Sequence, residues 1–354
     1  MSGSSRVRFR SSNASSAIAI VLSGLMALVC VSSVAAQDSV ASFYRGKTIS
    51  LLVGYPPGGG YDVYARVMQR YFMKYIPGNP NVIVRNVPGA ASLALVNQLY
   101  SVDARDGSVF GMFARSVAMD RLMGRQGANF DPTKLSWIGS ANNEVSICTI
   151  SGALGVDTVR DFMTRPITFG ANAPGSESHM YPNILNNLLG ANFRVVTGYP
   201  SSNDLMLAME RGETEGRCGW TISAAKTSHS EWLRQGKLFV AIQFAMEKHA
   251  ELPDVPLVLD LARDEQQRQA LELILSMQAM GRPFAAPPEI PRDRLNALRR
   301  ALDAILADDL FLAEAEKQRL EIRPVSGESL EELISSMFKA SPAVVSAARR
   351  AIAQ

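Results

Sequence analysis

Short apolar runs alternate with amphipathic stretches along the first two thirds of this 354-residue chain. The alternation first predicts strand and helix pairs at 49–53 and 62–75, at 82–87 and 90–100, and at 109–113 and 117–123. It resumes after Trp137, with strands at 145–150, 167–170, 193–197 and 238–244 and helices at 176–189 and 202–210. Such alternation is typical of parallel sheets covered by helices. We therefore expect an α/β fold of two units, each a mostly parallel sheet flanked by helices.

The last third of the chain has a different pattern, dominated by predicted helices at 264–280, 292–306 and 329–338. The apolar runs between them are too short to build a third sheet. We expect this segment to pack back onto the first unit. The first domain would then comprise residues 37–138 and 250–354, and the second domain residues 139–249.

The first 36 residues have the features of a secretory signal peptide. Arg6, Arg8 and Arg10 precede an apolar stretch at 17–30, and Val34-Ala35-Ala36 forms a small-residue cleavage site. A membrane anchor is the alternative, but the apolar stretch is shorter than the roughly 20 residues that a span requires. The sequence therefore predicts export to the periplasm.

Removal of this segment changes the charge balance, because it carries three arginines and no acidic residue. The mature chain then has a net charge near zero, which disfavours a nucleic-acid partner. Two cysteines remain, Cys148 and Cys218. An oxidising compartment permits a disulfide between them, but two buried thiols are equally compatible with the sequence.

Residues 54–62, GYPPGGGYD, follow a predicted strand and lead into a predicted helix. The first backbone N–H groups of a helix have no partner within it, so a glycine-rich entry leaves them open to an anion. The loop lacks the Lys-Ser/Thr of a nucleotide-binding P-loop and the spacing of a dinucleotide-binding motif. A carboxylate therefore suits the loop better than a polyphosphate. A simple tight turn is the alternative.

A second loop, FGANAPGSESH at 169–179, has the same arrangement of strand, glycines and helix start. One such helix start in each unit would place two anion-binding loops on opposite sides of a cleft.

The chain resembles the tripartite tricarboxylate receptor family, or Bug receptors, which are extracytoplasmic solute-binding proteins. The resemblance covers essentially the whole mature chain. It rests on ISLLVGYPPGGGYDVYARV, ITFGANAPGSESHM, RGETE, GKLFVAIQF, LPDVP and APPEIPRDRLNALRRALDAIL. It implies a type II periplasmic binding protein fold, in which two α/β domains close on a carboxylated small molecule held by both glycine-rich loops.

The resemblance also assigns candidate ligand-binding residues, to which we add neighbours in the two loops and at the end of the strand at 109–113. The first loop contributes Pro57, Gly58, Gly59, Gly60, Tyr61 and Asp62, the second contributes Pro174, Gly175, Ser176, Glu177, Ser178 and His179, and the strand end contributes Arg115 and Ser116. Ala173, Pro174 and Glu177 depart from the family pattern. Arg217 and Trp220 are weaker candidates.

Four of these residues have alternative interpretations. Asp62 is expected to cap free N–H groups rather than to contact an anionic ligand. Glu177 either faces the cleft, where it would disfavour a second ligand carboxylate, or only stabilises its helix start. His179 is expected to form structural hydrogen bonds. Arg115 either reaches the ligand or forms a surface salt bridge.

The sequence therefore predicts a monomeric periplasmic receptor for a small carboxylate that serves the permease subunits of a tripartite tricarboxylate transporter, or a sensor. The alternative is a secreted hydrolase of small carboxylate esters or amides, but the chain has no G-x-S-x-G motif and no triad signature. We expect neither catalysis nor a cofactor or metal. The identity of the carboxylate is left open.

Overall fold

The computed structural model describes residues 39–172, 176–199 and 202–353. The predicted signal peptide at 1–36 lies outside these residues, and so do Pro174 and Gly175 of the second loop.

Eleven strands are defined in the described part of the chain, and they form two sheets. In chain order they are β1 (Thr48–Val53), β2 (Asn81–Asn86), β3 (Val109–Met112), β4 (Ser136–Ser140), β5 (Ser146–Ser151), β6 (Thr168–Gly170), β7 (Arg194–Val196), β8 (Gly216–Thr221), β9 (Leu238–Phe244), β10 (Pro283–Ala286) and β11 (Val325–Ser326).

The first sheet has the order β11-β4-β10-β3-β1-β2, and the second has the order β7-β6-β8-β5-β9. Strand β1 is parallel to β2 and β3, whereas β10 is antiparallel to β3 and β4. Similarly, β6 is parallel to β7 and β8, whereas β5 is antiparallel to β8 and β9. The two-unit α/β class is thus confirmed, but each sheet is mixed. Strand β10, with which the C-terminal segment rejoins the first sheet, is antiparallel to both of its neighbours.

Helices cover these sheets. They are α1 (39–44), α2 (Gly60–Tyr75), α3 (Leu93–Ser101), α4 (Val117–Asp120), α5 (Val159–Thr164), α6 (Glu177–Leu189), α7 (Ser202–Glu210), α8 (Ile222–Arg234), α9 (Glu265–Leu275), α10 (Arg292–Leu306), α11 (Asp309–Lys317), α12 (Gly327–Phe338) and α13 (Pro342–Ala351).

The C-terminal segment contacts both sheet units. Helices α10 and α11 pack on α2, and α12 packs on β4 of the first sheet. Helix α13 instead contacts α9 and also α6, which flanks the second sheet. Strands β10 and β11 complete the first sheet. The chain therefore passes from the first sheet to the second and back, while the domain boundaries at 138/139 and 249/250 stay a prediction.

A disulfide joins Cys148 on β5 to Cys218 on β8, the neighbouring antiparallel strand. Both cysteines are fully buried. Of the two alternatives that the sequence left open, the structure therefore has the disulfide.

Candidate functional site

Ser92 holds three loops together at one edge of the first sheet. Its hydroxyl donates to the carbonyl of Gly54, just after β1, and accepts from the N–H of Ala114, just after β3 (both 3.0 Å). A side chain at Gly54 would overlap with the Ser92 hydroxyl, so this close approach requires glycine. These two hydrogen bonds place the loop at 54–60 beside Arg115.

The first glycine-rich loop leads directly into α2. Residues 56–60 are exposed, Gly59 is the residue before the helix, and Gly58 has a φ of +84° that favours glycine. A Cβ atom on Gly59 would have only the Pro56 carbonyl within 4 Å, at 3.9 Å. The loop before α2 is therefore exposed, and its role as an anion site stays a prediction.

Asp62 lies in the first turn of α2 and tethers this loop. Its carboxylate accepts hydrogen bonds from the N–H of Gly58, from Arg66 Nε and from Asn86 Nδ2, each at 2.8 Å. Burial alone would raise the pKa of Asp62, but the hydrogen bonds lower it to about 2. Asp62 is therefore ionised and faces the loop backbone, where its partner is the N–H of Gly58 ahead of the helix rather than an N–H of α2 itself.

In the second glycine-rich loop, residues 173–175 lie outside the described part of the chain, and Ser176 precedes the first residue of α6. The Ser178 hydroxyl accepts from the N–H of Asn172 at 3.0 Å and lies 3.0 Å from the Ser176 hydroxyl. His179 is buried, and its ring nitrogens lie 3.2 and 3.4 Å from Asn183 Nδ2. Burial lowers the pKa of His179, which favours the neutral ring.

An ion pair between Arg115 and Glu177 connects the two halves of the molecule. Arg115 follows β3 of the first sheet, and its Nε and Nη2 both donate to Glu177 Oε1 in the first turn of α6, the Nε at 2.7 Å. Burial opposes the charge of Arg115, but Glu177 and Glu144 raise its pKa above the ordinary value. Glu177 therefore faces the cleft rather than only its own helix.

Arg115 also keeps one donor for a ligand. Its Nη1 is buried and has no hydrogen-bond partner among the described residues. An unsatisfied buried guanidinium nitrogen costs free energy, and a ligand carboxylate would satisfy it. The sequence left Arg115 open between ligand contact and a surface salt bridge. The structure gives it a buried salt bridge inside the cleft.

Arg282 and Glu144 form a second charged pair that sequence reasoning missed. Arg282 Nη1 lies 3.3 Å from Glu144 Oε1, and the Arg282 guanidinium stands over the rings of Tyr61 and Tyr64 at 4.6 and 5.0 Å. A Cβ atom on Gly60 would lie 3.7 Å from Arg282 Nη2, so this cation adjoins the start of α2. The sequence signal that could have identified Arg282 is its position directly before the short apolar run at 283–286.

These groups surround a cavity of about 350 Å³ between the two sheet units. Its walls comprise Tyr55, Tyr61, Ala114, Arg115, Ser116, Glu144, Ser176, Glu177, Met180, Thr221, Met277 and Arg282. The structure thus brings Tyr61, Arg115, Ser116, Ser176 and Glu177 together around one cavity, and their contact with a ligand stays a prediction. Pro57, Gly58, Gly59, Gly60 and Asp62 are not among its lining residues, and neither are the buried Ser178 and His179.

The two weaker candidates lie in the second sheet, outside this cavity. Arg217 and Trp220 are both buried in β8, with the guanidinium 4.7 Å from the indole ring. Burial lowers the pKa of Arg217 to about 10. Their contact is a cation–π pair in the sheet.

Neither a membrane-spanning helix nor a metal centre is found in the described ranges. No helix there is both long and apolar enough to cross a bilayer. Histidine, cysteine and acidic side chains do not gather there in a group of three or more that could hold a metal ion.

Comparison with protein-family models gives no match, and neither does a search of curated protein sequences. Solved structures do match. A TctC solute-binding protein from Polaromonas is 20% identical, with 84% of this chain and 96% of that chain covered and a TM-score of 0.67. MatC from Rhodopseudomonas palustris with bound malate is 16% identical, with 84% and 99% covered and a TM-score of 0.55. Rpa4515 from R. palustris with adipate is 15% identical, with 85% and 97% covered and a TM-score of 0.59.

The chain therefore has the two-sheet α/β fold of type II periplasmic binding proteins. Among these, it shares its fold with TctC-type solute-binding proteins over nearly their whole length. The resemblance predicted from the sequence is confirmed at the level of the fold.

Proposed function

We propose that this protein is a periplasmic receptor that captures one small carboxylate between its two halves for a tripartite tricarboxylate transporter. One observation carries the proposal: the N-termini of α2 and α6, one from each half, meet Arg115 around a single cavity. Each helix N-terminus contributes a partial positive charge and free N–H groups. Both halves thus hold the same anion, which couples binding to closure of the cleft.

The solved structures support a carboxylate as the ligand, since MatC holds malate and Rpa4515 holds adipate. Export by the predicted signal peptide, action as a monomer and docking of the closed form onto permease subunits or a sensor complete the proposal. The alternative of a secreted hydrolase lacks support, because the sequence has no G-x-S-x-G motif and Ser176 with His179 does not make a triad signature.

The test is isothermal titration calorimetry of the mature protein with a panel of mono-, di- and tricarboxylates. We expect at least one to bind with a stoichiometry of one. Arg115→Met should weaken it about tenfold or more, because a charge-assisted hydrogen bond contributes about 1.5 to 3 kcal/mol. The matched control is Arg105→Met, which removes an exposed arginine paired with Glu289 away from the cavity.

The comparison of the two arginine variants decides the assignment. If Arg115→Met and Arg105→Met bind every carboxylate equally well, the cavity is not the carboxylate site. Hydrolysis of matched esters by the wild-type protein would instead support the enzyme alternative.

A further inference from the structure

A second cavity of about 500 Å³ lies beside the charged one. The two share Ser116, Ser176, Met180 and Met277 in their walls, so these four side chains form the boundary between them. The whole site is therefore larger than the space around Arg115, and the two volumes together stay within the range usual for ligand pockets.

The walls of this second cavity are mainly apolar and flexible. Its apolar side chains are Met119, Met123, Met180, Ile274, Met277 and Ile352. Methionine is unbranched and adapts its shape to an apolar guest at low cost. These side chains belong to α4, α6 and α9 and to the residues that directly follow α4, α9 and α13. The cavity therefore lies between both halves of the molecule.

The described residues that line the second cavity include one acid and one base, Asp120 and Arg125, and their charges neutralise each other. Asp120 and Arg125 lie 2.9 Å apart, and the Arg125 guanidinium also donates to the carbonyl of Ala90. A second ligand carboxylate would therefore meet a cation that is already paired with a buried acid. The two cavities differ in charge: the first has helix N-termini and the unpaired Nη1 of Arg115 in its walls, and the second presents methyl and thioether surface.

We propose that the second cavity is a subsite for an apolar tail, so that the receptor selects monocarboxylates with an extended hydrocarbon chain or ring. This inference rests on the proposed function, because the first cavity must hold the carboxylate. Met180 and Met277 line both cavities, so they form the passage from the carboxylate to the tail. Short, highly polar acids leave the second cavity unused.

The experiment measures the affinities of butanoate, hexanoate and octanoate for the mature protein by calorimetry. Each buried methylene contributes about 0.8 kcal/mol, which is a factor of about four, so each step of two carbons should tighten binding about fifteenfold. Met123 contacts only the second cavity, so Met123→Trp fills that space from its far side. This variant should keep the affinity for butanoate and lose the gain for octanoate.

Two further variants serve as controls. Met123→Ala enlarges the cavity and should retain the gain with chain length. Met246→Trp changes a partly exposed methionine outside both cavities and should behave as wild type. Thermal unfolding of each variant, measured without ligand, verifies that it folds.

The outcomes separate this inference from the proposed function. A flat dependence on chain length, tighter binding of succinate than of octanoate, or an octanoate gain that survives in Met123→Trp would overturn the apolar subsite and leave the receptor intact. Failure of every carboxylate to bind would overturn both. A gain of about fifteenfold per two carbons that disappears only in Met123→Trp supports the subsite.

Discussion

Asp62→Asn tests whether one buried carboxylate organises the first ligand loop. The Asp62 side chain is only 3% exposed and accepts from three donors, on Gly58, Arg66 and Asn86. An asparagine has one acceptor oxygen and two N–H donors of its own. At least one of the three donors would then lose its partner, and the charge assistance of all of them is lost.

The magnitude follows from the pKa of Asp62, which is lowered from its ordinary 3.8 to about 2. A pKa difference of this size corresponds to about 2 kcal/mol of stability at neutral pH, since one pKa unit equals about 1.4 kcal/mol. Half of the Arg66 side chain is exposed, so solvent screens its share, and we expect a loss of about 1 to 2 kcal/mol.

The sign of the pH dependence follows from the same numbers. The pKa of the folded state is below that of the unfolded state, so the stabilisation is present above about pH 4. It is lost as the pH falls through the folded pKa of about 2. The difference between wild type and Asp62→Asn should therefore shrink to about half near pH 3.

Urea unfolding at pH 7 and pH 3 measures this difference. The matched control is Asp309→Asn, which makes the same change in the first turn of α11 at an exposed position, where only a few tenths of a kcal/mol are at stake. Two results would refute the role of Asp62 in holding the loop: equal stability of the two variants at pH 7, or a stability difference between wild type and Asp62→Asn that does not change with pH. Ligand affinity should fall in Asp62→Asn and not in Asp309→Asn.

The remaining predictions concern the ligand loops and the disulfide. Gly59→Val should abolish carboxylate binding and keep the fold, because its side chain would enter the open approach to α2; unchanged affinity in calorimetry would contradict this. Glu177→Ser removes the acidic partner of Arg115 and should favour dicarboxylates over amino acids by about 1 kcal/mol in competition binding. If the ranking of ligand affinities stays unchanged, Glu177 does not select the ligand. Reduction of Cys148–Cys218, 70 residues apart, should lower the melting temperature, since the bridge contributes about 4 kcal/mol; thiol labelling of the unfolded, unreduced protein should find neither cysteine free.

Local features of the site could be predicted from the sequence because they depend on neighbours along the chain. The glycine-rich loop followed by an amphipathic helix defines the α2 N-terminus, and Asp62 meets Gly58 and Arg66 within one helical turn. The strand and helix alternation likewise predicted most elements around the cavity. Short-range geometry is enough in these cases, since the backbone itself sets the positions.

The tertiary structure alone decided how distant segments meet. Arg115 and Glu177 were each expected at the edge of their own sheet, but their pairing across 62 positions depends on how the two halves pack. Arg282 and Glu144 come together because β10 returns to the first sheet, antiparallel to β3 and β4. The sequence around Arg282 or Glu144 does not predict this contact, because the free energy that determines it comes from the packing of whole sheets and helices.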